Sequence, residues 1–258
     1  MFTQAEAYER FMGRWSQMLA ERFLAFVDLA GAARVLDVGS GTGSLARAIV
    51  GSSPLVEVVG IDPSPAFVDY ARARISQRAH FEVGDAQQLP FDDSSFDACY
   101  ALLVLNFIPD QRAALAEMCR VVRPGGTIEA AVWDHAQGMN MLRIFWEVAD
   151  AVDKDKHLIE EPHPLLDRDG LSALWEEAAL GEIVSAPLDF DMRFLSFADY
   201  WEPFGFTQGP AGAYLRSVSA RVRDEIEREL RSKLLAGKPD SPFTLSARAW
   251  AIRGRKQV

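Results

Sequence analysis

Hydrophobic and polar positions change rhythm twice along the chain. Over residues 2–27 apolar groups recur at mixed three- and four-residue steps (Tyr8, Phe11, Met12, Trp15, Leu19, Phe23), which predicts an amphipathic helical arm broken near Gly13. From residue 34 short apolar runs at 34–38, 56–61, 80–83, 98–103 and 127–133 alternate with helical stretches at 44–50, 65–76 and around 112–121. That alternation predicts right-handed crossovers and a doubly wound, mostly parallel α/β sheet. After Trp133 it lapses through residues 134–183, where helical patterns at 139–153 and 170–179 are joined by a charged, proline-containing stretch. Two further strand patterns, 184–194 and 243–252, bring the expected sheet to seven strands. A helix at 218–235 lies between them, and its opposite charges four apart, Arg221/Glu225 and Arg223/Glu227, mark a solvated face.

Composition narrows the classes of function. With 258 residues, 49% of them apolar and 25% charged, the chain can bury a sizeable core. Lys plus Arg total 27 against 37 Asp plus Glu, a net charge of −10 that phosphate backbones and anionic lipids repel. No nucleic-acid partner and no membrane insertion are expected, since no apolar run approaches the roughly 18 residues of a spanning helix. The N-terminus shows no signal-peptide core, and Cys99 and Cys119 form neither a disulfide framework nor a metal cluster. Both cysteines read as buried small hydrophobes, and the chain as a reduced, cytoplasmic protein of open oligomeric state.

The candidate chemistry begins at Asp37-Val38-Gly39-Ser40-Gly41-Thr42-Gly43, directly after an apolar strand and before a helix. Glycines at such a junction let the backbone approach a ligand at the C-terminal end of the strand, where open α/β sheets bind. A dinucleotide fingerprint would need glycine where Ser44 stands, and a phosphate loop would need a lysine that the segment lacks. Instead an acid precedes three glycines at alternate positions. This segment resembles motif I of the class I S-adenosylmethionine-dependent methyltransferases. Three further segments fall in the order that family implies: Asp62-Pro63 ending the second strand, Gly84-Asp85-Ala86 ending the third, and Phe96-Asp97 opening the fourth. The stretch GDAQQLPFDDSSFD, followed by RVVRPGG, is most similar to the ubiquinone/menaquinone-biosynthesis branch and its small-molecule relatives.

The resemblance implies a seven-stranded Rossmann-like sheet and S-adenosylmethionine as cofactor. It implies contacts from Asp37, Gly39, Ser40, Gly41, Asp62, Pro63, Asp85, Ala86, Ala101 and Leu102, with Asp62 on the ribose hydroxyls and Asp85 on the adenine amino group. A carboxylate facing two vicinal hydroxyls makes charge-assisted bonds, and a sulfonium cation tolerates an acid beside the glycine loop. The chain then reads as one domain, with an arm at 1–30, a cofactor-binding half at 31–133, a helical insertion at 134–183 and closing strands and helix at 184–258. Arm and insertion are expected to form a lid that excludes water.

Transfer to a small apolar or aromatic acceptor is the leading expectation. A macromolecular acceptor and a non-catalytic cofactor-binding protein stay open. His135, after the fifth strand, is the candidate proton acceptor, because Asn106 stands where many relatives have histidine. Phe11, Trp15, Asn106, Trp133, Trp146 and Trp201 are the candidate acceptor pocket, with about half of the chain's non-motif aromatics expected to be plain core. His157 and His163 flank Glu160 and Glu161, which reads as a solvated loop; no metal is expected.

Overall fold

The apolar runs at 34–38, 56–61, 98–103 and 127–133 become strands buried on both faces, as a parallel sheet covered by helices requires, whereas the run at 80–83 becomes a strand with one exposed face. The computed structural model of the chain describes residues 4–257 except 28, 30, 76–77, 154–166 and 207–208. Seven strands form one sheet: β1 (Arg34–Val38), β2 (Glu57–Asp62), β3 (Ala79–Val83), β4 (Phe96–Leu102), β5 (Val122–Trp133), β6 (Gly181–Phe194) and β7 (Phe243–Arg255). Their order is β3-β2-β1-β4-β5-β7-β6. β1 to β5 run parallel, and β7 is antiparallel to β5, pairing Thr127 with Arg255 through Trp133 with Ala249. β1 lies between β2 and β4, which makes its C-terminal end the topological switch point where open sheets take ligands.

The helices are α1 (Gln4–Tyr8), α2 (Arg14–Phe26), α3 (Ser44–Ser52), α4 (Pro65–Arg74), α5 (Gln111–Val121), α6 (Asn140–Val152), α7 (Arg168–Glu177), α8 (Phe197–Phe206), α9 (Pro210–Ser217) and α10 (Ala220–Leu235). Several start where a side chain satisfies an orphan amide. Asp110 accepts the Ala113 N–H, Asp167 the Gly170 N–H, and Ser219 the Val222 N–H. The predicted break near Gly13 is a π-helical turn, Glu9–Gly13, set between α1 and α2. β5 starts at Val122 and takes in Pro124, Gly125 and Gly126, and its pairing with β4 shifts between Phe96 and Ala98.

The chain divides into two compact units. One holds Trp15–Trp133, His163–Leu188 and Ala249–Val258. On one face of its sheet Leu36, Val38, Cys99, Ala101, Ile128 and Ala130 share a core with Ala114, Leu115 and Met118 of α5 and with α7. On the other face Asp37, Tyr100, Glu129 and Arg253 stand side by side in register, with Phe23 of α2 edge-on to Tyr100 at 6.2 Å.

The second unit holds Met1–Arg14, Asp134–Pro162 and Asp189–Arg248. Its core is aromatic: Phe145 stacks on Phe204 at 4.6 Å, and Phe11 meets Phe204 edge-on at 5.1 Å. The buried Tyr200 hydroxyl donates to the Met141 carbonyl at 3.0 Å, and Arg14 pairs with Asp199 at 2.9 Å. α8 and α9 lack a prediction because Pro203, Gly205 and a dense aromatic run hide any helical period.

The expected insertion at 134–183 does not stay together. α6 belongs to the helical unit, whereas α7 belongs to the sheet unit. Leu171, Leu174 and Trp175, spaced three and four apart, are fully buried, and the Trp175 indole N–H donates to the Ile128 carbonyl at 3.1 Å. α7 therefore packs as a structural helix of the sheet. Trp175→Ala removes a large buried ring and its hydrogen bond. Urea unfolding should show a loss of about 3–5 kcal/mol; a loss below about 1 kcal/mol would place Trp175 outside the core.

Candidate functional site

Two strand ends and one glycine loop build the site. β1 ends at Asp37-Val38, and the chain turns with Gly39 at φ 67° and Gly43 at φ 88°, conformations that side chains disfavour. A side chain at Gly39 would also strike Val104, its Cβ falling 2.2 Å from a methyl group. The Gly39 and Ser40 N–H groups donate to the Ile61 carbonyl at 2.7 and 3.0 Å, so the loop folds over the end of β2. Gly43 caps α3 without a side-chain hydrogen bond, and among the first amides of that helix the Ala46 N–H bonds to Asp37.

Asp62, at the end of β2, is the brace. One carboxylate oxygen accepts the Gly41 N–H at 2.9 Å and the other the Ser64 N–H at 2.8 Å. Each oxygen keeps a further lone pair for a ligand hydroxyl. Burial raises the pKa of Asp62, with the hydrogen bonds from Ser64 and Gly41 opposing. Asp37 is 1% exposed. Burial pushes its carboxyl up to about 8, the nearby Asp62 adds to the rise, and the Ala46 N–H opposes it.

Among the described residues, Asp37 Oδ2 and Ser40 Oγ are buried without a hydrogen-bond partner. Buried polar atoms left unpaired are costly, so both are poised for a ligand's donors. Two acids at one loop suit a ligand bearing positive charge and hydroxyls and oppose a pyrophosphate.

Residues 36–130 match the family described as Methyltransferase domain. Over that segment, which holds the glycine loop and Asp62, the chain is similar to methyltransferase domains. It is 36% identical over 121 residues to the ubiquinone/menaquinone biosynthesis C-methyltransferase UbiE of a Geobacter species, a match covering 45% of this chain and 50% of that protein. It is 35% identical over 130 residues to the malonyl-[acyl-carrier protein] O-methyltransferase of Serratia marcescens, covering 48% and 50%. The chain thus matches about half the length of these curated relatives. In fold it resembles Haemonchus contortus phosphoethanolamine N-methyltransferase 2 in complex with S-adenosylhomocysteine. The TM-score is 0.58 at 18% identity, over 98% of this chain and 57% of that one.

The fold brings Asp37, Gly39, Ser40, Gly41 and Asp62 together at the ends of β1 and β2, with Pro63 exposed in the turn before α4. Asp85 lies exposed in the loop after β3, where it accepts the Gln87 N–H at 2.9 Å, while Ala86 is buried in the sheet core. Ala101 and Leu102 end β4. Leu103 follows at φ 60°, a strained conformation for a leucine, pinned by its N–H to the Ala131 carbonyl at 2.8 Å. Asn106 stands in the 3-10 turn Leu105–Phe107, its amide oxygen buried with no hydrogen-bond partner.

The candidate acceptor aromatics are divided. Trp15 and Trp133 are buried in the sheet unit, and Phe11, Trp146 and Trp201 join the aromatic core of the helical unit through Phe204, Phe145 and Tyr214. His135 is exposed in the turn after β5. His157, His163, Glu160 and Glu161 lie outside the described residues. Cys99 is buried and Cys119 half-buried, and burial raises both thiols, Cys119 to about 11, which keeps them un-ionised. Among the described residues no His, Cys, Asp and Glu cluster suits a metal, and no helix is long and apolar enough to cross a membrane. Sequence reading missed Phe107, which is 75% exposed. In the string LVLNFIPD it is indistinguishable from core, and only the 3-10 turn aims it outward.

The raised Asp37 pKa has a signed consequence. Between 3.8 and about 8 the folded carboxyl holds a proton that the unfolded one has lost, so stability falls as pH rises through that window. Asp37→Asn should flatten the slope and leave the variant more stable than wild type above about pH 8. Urea midpoints across the window check this, and equal slopes in the two proteins would refute it.

Proposed function

We propose that this chain transfers a methyl group from S-adenosylmethionine to a small, largely apolar or aromatic organic molecule. The observation that carries the reading is the junction of β1 and β2, with its braced carboxylate and with one buried oxygen of Asp37 and the Ser40 hydroxyl left unpaired. Asp62 would hold the ribose hydroxyls, Asp85 the adenine amino group, and Asp37 and Ser40 the amino-acid end, where a cation favours ionised Asp37. When bound, S-adenosylmethionine supplies a methyl group on a sulfonium, open to direct displacement by a nucleophilic acceptor atom. The protein's part is to align the acceptor and exclude water.

Asn106 is suited to accept a hydrogen bond from an acceptor hydroxyl or amine, and the exposed Phe107 offers an apolar face on the same turn. His135 is the candidate group to take up a proton. A C-methyltransferase and an O-methyltransferase among the relatives favour small organic acceptors and leave the acceptor atom open. The net charge of −10 argues against a nucleic-acid substrate.

Methyl-labelled S-adenosylmethionine incubated with cell extract, followed by separation into small-molecule, protein and nucleic-acid fractions, tests the reading. Label should collect in the small-molecule fraction. Label in a macromolecular fraction would overturn the acceptor class, and cofactor binding without transfer would favour a binding protein. Asp62→Ala should abolish transfer and weaken S-adenosylhomocysteine binding by about 1.5–3 kcal/mol in calorimetry. Unchanged affinity would move the ribose contact elsewhere.

A further inference from the structure

The loop after β3 and the turn after β4 are joined by one side chain. The Gln87 amide nitrogen donates to both Asp85 carboxylate oxygens, at 3.1 and 3.2 Å, and the Gln87 backbone N–H adds a bond of 2.9 Å to the first of them. The amide oxygen of Gln87 accepts the Asp110 N–H at 3.1 Å. Asp110 in turn caps α5 through the Ala113 N–H at 2.9 Å. Gln87 therefore spends both ends of its amide, one on the expected adenine contact and one on the start of the helix that follows the Asn106–Phe107 turn.

Neither partner can drift on its other side. Ala86 and Leu89 are buried in the sheet core, and the Leu89 N–H donates to Glu117 of α5 at 2.8 Å. Leu105 and Ile108 are buried on either side of Asn106 and Phe107. The buried Gln111 amide donates to their carbonyls, at 3.4 and 2.8 Å. Between these two anchored segments stands Gln87, half-buried and uncharged, bonded to both Asp85 and Asp110.

We propose that Gln87 is a positioning residue, a clasp that fixes the Asp85 carboxylate for the adenine amino group and ties that carboxylate to the turn carrying Asn106 and Phe107. The proposal rests on the methyltransferase reading above. A carboxylate held by a donor on each oxygen keeps its remaining lone pairs in one direction, which rewards an amino group and repels a carbonyl at the same place. Because the same amide holds the amide N–H of Asp110, the seating of adenine and the order of the turn after β4 become linked.

Calorimetry with S-adenosylhomocysteine and with S-inosylhomocysteine, which carries a carbonyl in place of the amino group, tests the clasp in the full chain. In Gln87→Leu the affinity for S-adenosylhomocysteine should fall about ten-fold and the preference over the inosyl compound should shrink, with the melting temperature of the free protein unchanged. Gln87→Glu keeps an acceptor for Asp110 but sets two carboxylates together. It should bind weakly at about pH 7.5 and recover, relative to wild type, toward about pH 5.5 as the pair comes to share a proton. Hydrogen exchange at the Asp110 amide should slow on adding S-adenosylhomocysteine to wild type and not to Gln87→Leu. Wild-type binding with affinity and preference unaltered in Gln87→Leu overturns the clasp alone. No binding by wild type overturns the methyltransferase reading and the clasp together.

Discussion

The ligand side of the sheet depends on one carboxylate. Asp62 holds the glycine loop by the Gly41 N–H and its own turn by the Ser64 N–H, so two segments that carry the cofactor chemistry share a single brace. Hydrogen bonds to a charged acceptor are the strong kind, and at a nearly buried position they face little competition from water. The loop can then take left-handed turns at Gly39 and Gly43 and leave α3 without a side-chain cap. That brace acts together with the Gly39 and Ser40 amides on the Ile61 carbonyl to hold the loop beside Asp37 and Ser40.

The same brace sets the electrostatics. Burial raises both Asp37 and Asp62, and the charge of Asp62 adds to the rise at Asp37. A site of this kind stores an unfavourable arrangement that a cationic ligand relieves, which separates it from nucleotide sites that present amides and lysine to phosphate. Leu103 adds backbone strain at the end of β4. That strain persists because its amide is tied into β5 and because Val104 fills the space that a side chain at position 39 would need.

The second unit follows a different logic. Its interior is a web of rings, with Phe145, Phe204, Tyr200 and Phe194 in edge and stacked contacts, held at its rim by Arg14–Asp199 and Lys233–Glu147. Rings satisfied by one another stabilise that unit. Phe11, Trp146 and Trp201 belong to this web, so their aromatic character alone is no measure of acceptor contact.

What the sequence by itself determined was local and periodic. Short apolar runs at 34–38, 56–61 and 80–83 fall within about a residue of β1, β2 and β3, since burial of both faces in β1 and β2 and of one face in β3 sets the pattern. The acid–glycine spacing at Asp37–Gly43 and the acids at Asp62 and Asp85 stand out in the sequence because each lies at or just beyond the end of an apolar run. Tertiary structure alone decided the rest. α7 reads like any amphipathic helix, and only packing against Ile128 placed it in the sheet core. α8 and α9 arise where Pro203 and Gly205 erase the helical period, so they exist through ring contacts distant in sequence. Phe107 and Gln87 carry no signal of their own. A 3-10 turn aims the first at solvent, and the second finds Asp110 only because β3 and β4 end on the same side of the sheet. Spacing along the chain encodes which residues share a strand or helix face, but contacts across strands depend on crossovers that no local pattern records.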